Sequence, residues 1–150
     1  KKNPKTTFLF KTKLVNDQNT LEQQKSINKF NLKNCKIIFG GDNYKNIIDA
    51  KVIVGLNSTS LLEGLAAKKK VIVPYFYINN KNKKDSLMKF NNSVIQAKNP
   101  KKFEFILHKI INEKNYNLNL SKSAKKMLYF YIGNNDGKSY NKLANILKSL

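Results

Sequence analysis

The residues best suited to chemistry lie between two short apolar runs. Asn57, Ser58, Thr59 and Ser60 form a string of small polar side chains, and Glu63 follows three residues after Ser60. Ahead of them Val52, Ile53 and Val54 read as a buried strand, closed by Gly55 and Asn57. After them Leu61, Leu62, Leu65 and Ala66 recur at helical spacing, and Val71, Ile72 and Val73 make a second β-branched run that Pro74 ends. The stretch therefore predicts strand, turn, helix and strand, a βαβ unit with a right-handed crossover. Ligands of open α/β sheets bind beyond the carboxyl ends of the strands. At that edge the Ser/Thr string opens a helix, whose first amides and positive dipole end suit a phosphate. Three hydroxyl residues exceed the needs of a single N-cap, yet capping alone would account for any one of them. Glu63 has two readings. Ser60-Leu61-Leu62-Glu63 has the spacing of a capping box, in which the acid bonds back to the backbone at Ser60. Alternatively its carboxylate accepts hydrogen bonds from a ribose diol. Spacing alone favours the cap.

Other candidates are weaker. Gly40 and Gly41 end a strand and let the chain turn sharply or approach a ligand closely. They belong neither to a Walker phosphate loop nor to a GxGxxG fingerprint, so a strand-to-helix turn is the leading reading. Asp136-Gly137-Lys138-Ser139 is a turn followed by a helix cap, with Asp136 and Lys138 as its only charged groups. The nine acids show no pair at metal spacing, so no metal is expected. His108 lies off the apolar stripe of its helix and has no evident nucleophile to serve. Cys35, the one cysteine, opens a strand and reads as a buried structural thiol. No residue stands out as catalytic, and the pattern suggests a binding half more than a complete active site.

The elements that would position these residues follow from the rest of the pattern. Residues 6–13 and 35–39 are strand candidates, and 17–30 reads as a surface helix. Residues 44–50 make a short helix with Ile47 and Ile48 inward. Residues 75–92, with the lysine-rich middle 79–86, form a surface loop; a lid over an anionic ligand is its minority reading. Tyr75, Phe76 and Tyr77 are expected to pack rather than stack on a base. A strand at 93–97 precedes a helix that starts at Pro100, where Phe103, Ile106, Leu107, Ile110 and Ile111 form one apolar stripe. Ser121 caps a further helix ended by the turn 133–137, and Tyr140, Leu143, Ala144, Leu147 and Leu150 mark a last one. This alternation predicts a single α/β domain over 1–150. It would hold a doubly wound parallel sheet of about five strands, flanked by helices and ending in helices.

Composition narrows the partners. The net charge is +20, and all 29 basic residues are lysines. Without arginine, bidentate and stacking contacts to bases are lost, which lowers a nucleic-acid reading to non-specific phosphate binding. A lysine-rich surface also suits an anionic nucleotide, an acidic glycan or an anionic membrane leaflet. One cysteine permits no internal disulfide and fits a reducing cytoplasm. No apolar run reaches the roughly 20 residues of a membrane span.

The segment IIDAKVIVGLNSTSLLEGLAAKKKVIVPYF resembles the carboxyl-terminal half of bacterial GT-B glycosyltransferases, closest to those of surface-carbohydrate and capsule biosynthesis. Asn57, Ser58, Thr59, Leu62, Glu63, Leu65 and Ala66 match the motif. The strand–turn–helix VIQAKNPKKFEFILHKII and the tail YIGNNDGKSYNKL are similar too, so the likeness runs from about Cys35 to the end. It implies a Rossmann-like domain binding a nucleotide-sugar donor, with the Ser/Thr turn toward the phosphates and Glu63 toward ribose or sugar. Gly40, Gly41, Asn57, Ser60, Asp136 and Lys138 complete the implied donor site. It implies no bound cofactor or metal; lysines and the helix dipole would stabilise the leaving diphosphate. The glycan or lipid-linked acceptor and the general base would belong to a separate amino-terminal domain, with this chain as the carboxyl-terminal half of a two-domain enzyme. The implied location is cytoplasmic, with possible contact to the inner face of the plasma membrane. The family's Gly-Lys-Pro turn is replaced here by Lys68-Lys69-Lys70, which puts the turn geometry in question. Alternatives are a CDP-polyol phosphotransferase, a sugar-nucleotide epimerase, or a non-catalytic basic module binding nucleic acid or an anionic surface.

Overall fold

The computed structural model describes residues 3–12, 18–56, 58–77, 93–113, 119–133, 136–138, 141, 144–145 and 148. Asn57, the lysine-rich stretch 79–86, the Tyr77 side chain and most of the expected last helix lie outside the described residues. The chain divides into two compact units, Lys1–Asn46 and Ile47–Leu150.

In the first unit β1 (Phe8–Thr12) and β2 (Cys35–Phe39) pair in parallel, with Phe8 opposite Cys35 and Thr12 opposite Phe39. The helix α1 (Gln18–Lys29) connects them. Its end is closed by Asn31 at φ 47°: the Leu32 amide donates to the Ile27 carbonyl at 3.0 Å and the Asn31 amide to that of Asn28 at 3.1 Å. That is a Schellman closure, with asparagine tolerating the left-handed position. Asn34 fixes the entry to β1 by donating to the carbonyls of Asn3 (3.0 Å) and Thr6 (2.7 Å). Cys35 is half-buried rather than fully buried, because it opens β2 at the sheet's edge. Asp42 caps α2 (Asn43–Asp49), accepting from the Lys45 amide at 3.1 Å.

In the second unit three parallel strands lie in the order β3 (Val52–Val54), β4 (Lys70–Pro74), β5 (Ile95–Ala97). The helix α3 (Thr59–Ala66) links β3 to β4, as the periodicity predicts. Being central, β4 is buried on both faces: Val71, Ile72 and Val73 are 2%, 0% and 3% exposed. Its alternation divides the core. Val71 and Val73 meet Leu61, Leu62 and Leu65 of α3 and Met127 and Leu128 of a later helix, α5 (Lys122–Ile132). Ile72 meets Ala97 and Ile110, with Phe103, Ile106 and Leu107 of α4 (Pro100–Asn112) packed around them. Helices therefore cover both faces of this sheet. Burying each of Leu61, Leu65, Val71 and Ile72 contributes about 1.5–3 kcal/mol.

Gly64 sets how closely α3 lies on the strands. A Cβ there would sit 3.0 Å from Ile53 Cγ1 and 3.3 Å from Val71 Cγ2. Asn99 caps α4 through the Lys102 amide (2.8 Å), with Pro100 in the first turn, and Ser121 caps α5 through the Ala124 amide (3.1 Å).

The class is thus α/β with parallel strands. The expected single sheet of about five strands is corrected: the described strands form two sheets, of two and three strands. Only the three-stranded one carries a fully buried strand; β1 and β2 have no residue buried outright.

Candidate functional site

The Ser/Thr string opens α3 at the carboxyl end of β3, as expected. Ser58 is the N-cap, in extended backbone (φ −146°, ψ 142°), and its Oγ accepts from the Ser60 amide at 3.3 Å. The Leu61 amide donates to the Ser58 carbonyl at 3.0 Å. One serine thus engages two of the first amides, and the cap does not engage that of Thr59. Helical spacing puts Thr59, Ser60 and Glu63 on one side of α3, three and four residues apart. Thr59 and Glu63 are exposed there and Ser60 is half-buried. Leu61, Leu62 and Leu65 hold the other side in the core. The dipole end and this hydroxyl–carboxylate face are what a phosphate-bearing polyol would meet.

The capping-box reading of Glu63 does not hold in its expected register. The cap falls at Ser58, so the third helical position is Leu61, which is 1% exposed and packs in the core. Glu63 stands further along the helix with its side chain exposed.

The remaining candidates sit on other elements. Gly40 (φ 58°) and Gly41 (φ 73°) belong to the first unit and both occupy the left-handed region, which explains the pair without a ligand. Lys11 Nζ donates to the Gly40 carbonyl at 2.7 Å, which ties the end of β1 to that turn. Asp136 accepts from the Lys138 amide at 3.0 Å across Gly137 (φ 71°), an Asx turn beyond α5. The structure therefore joins Ser58, Thr59, Ser60 and Glu63 on one helix, and Asp136 with Lys138 in a turn of their own. Phe76 packs edge-on against Phe103 (6.3 Å, 69°), and Tyr75 packs on the α3 side of the core, as expected of packing aromatics.

Residues that the sequence pattern does not single out gather at the opposite, amino-terminal edge of the three-stranded sheet. Glu113 follows α4 and pairs with Lys70, the first residue of β4. Lys51 Nζ, just before β3, donates to the carbonyls of Ile111 (2.7 Å) and Glu113 (2.6 Å), so it caps the end of α4. Lys69 likewise donates to the Ile48 carbonyl near the end of α2. The hydrogen bond from Lys70, reinforced by the charges of Lys70, Lys109 and Lys51, holds the Glu113 carboxyl below its ordinary range. No local motif marks this cluster, since its members are up to 62 residues apart.

The Lys68-Lys69-Lys70 turn also becomes clear. Lys68 has φ 56°. Its amide donates to the Leu65 carbonyl at 2.9 Å, and the Lys69 amide to that of Gly64 at 2.8 Å. This is a Schellman closure with a lysine in the position that glycine normally fills.

Among the described residues no three of His, Cys, Asp and Glu group as a metal site requires, and no helix is long and apolar enough to cross a membrane. His108 is exposed, and its ring lies 3.3 Å from the Asn112 amide nitrogen one turn along the same helix. The fold defines the chain as an α/β protein with a βαβ unit whose helix starts at the carboxyl end of β3. Compared with protein-family models, with curated proteins and with solved structures, the chain gave no match.

Proposed function

We propose that the chain is the donor-binding half of a GT-B type glycosyltransferase of surface-polysaccharide biosynthesis. It would bind a nucleotide-sugar at the amino end of α3, at the carboxyl end of β3. The observation that carries this reading is the βαβ unit itself. Its Ser58-capped helix opens at the carboxyl edge, with Thr59, Ser60 and Glu63 on one side. The turn after α3 removes one objection to the resemblance, because Lys68 adopts the backbone that the family's glycine would take. In this reading the Thr59 amide, the hydroxyls and the dipole hold the diphosphate, and Glu63 accepts from ribose or sugar hydroxyls. Lysines would stabilise the leaving diphosphate electrostatically. The glycan or lipid-linked acceptor would be held by a separate amino-terminal domain in a two-domain enzyme of the cytoplasm.

Calorimetric titration with UDP, GDP, CDP and CMP at physiological salt tests this. We expect one diphosphate to bind saturably and Glu63→Ala to weaken it at least fivefold with unchanged thermal unfolding. CMP binding as tightly as CDP would favour a CDP-polyol phosphotransferase. Binding of all four in proportion to charge, abolished by salt, would overturn the donor reading in favour of a basic module.

A further inference from the structure

We draw no further inference here: the strongest candidate, the face of the two-stranded sheet on which Phe10 of β1 and Phe39 of β2 stand 39% and 43% exposed, carries nothing, because nothing in the structure shows what covers it.

Discussion

The lysine run after α3 shows how much local conformation a single residue can carry. Lys68, Lys69 and Lys70 look alike in the sequence and do three different things. Lys68 supplies a left-handed backbone, Lys69 donates to a carbonyl near the end of α2, and Lys70 pairs with Glu113. The first of these roles suits lysine poorly. A side chain with Cβ costs about 1–2 kcal/mol in the left-handed region, whereas glycine adopts it freely and loses somewhat more entropy on folding. The Lys68 side chain is exposed, so its removal uncovers nothing. Lys68→Gly should therefore stabilise the protein by about 0.5–1 kcal/mol, read as a higher urea midpoint at unchanged m-value. A lower midpoint would mean that the lysine side chain contributes more than the backbone strain it imposes.

At the scale of elements, the amino-terminal edge of the three-stranded sheet is held by charge. Lys51 and Lys70 join the starts of β3 and β4 to the end of α4, and Glu113 is the carboxylate they surround. Its pKa is lowered from the ordinary 4.5 by the Lys70 bond first and by neighbouring lysine charges second. A depressed folded pKa means that the contribution is complete above the unfolded value and disappears as pH falls through the folded one. Glu113→Gln should therefore lower the urea midpoint at pH 7 and converge with the parent chain once acid has protonated the carboxylate in both states. A gap that persists in acid would mean that the side chain acts by packing rather than by charge. This cluster is illegible in the sequence, because it forms from residues at the starts of strands and the end of a distant helix. The elements are legible, because local periodicity and caps specify them: Ser121, the helix start at Pro100 and the β-branched runs fall where the pattern puts them. Sheet grouping is not, since strand pairing depends on long-range register. The cap of α3 falls two residues earlier than the capping-box spacing suggests. The serines at 58 and 60 are both competent caps, and the chain uses the first, whose hydroxyl accepts from the amide of the second.

At the scale of the whole molecule, 29 lysines against nine acids leave a net charge of +20 on 150 residues. Several lysines are used internally: Lys11, Lys51 and Lys69 hold backbone carbonyls, and Lys70 holds a carboxylate. Such contacts are short-range and only partly screened by salt. The remaining positive charges repel one another over longer distances, and that repulsion destabilises the compact state. Raising ionic strength from about 0.01 to about 0.15 M shortens the screening length from about 30 Å to about 8 Å. That removes most of the long-range repulsion while leaving the carbonyl contacts largely intact. Stability should therefore rise with sodium chloride over this range. A gain of about 1 kcal/mol would move the urea midpoint by about 0.5 M at an m-value of about 2 kcal/mol/M. A midpoint that fell with salt would show that paired charges such as Lys70 and Glu113 outweigh the excess.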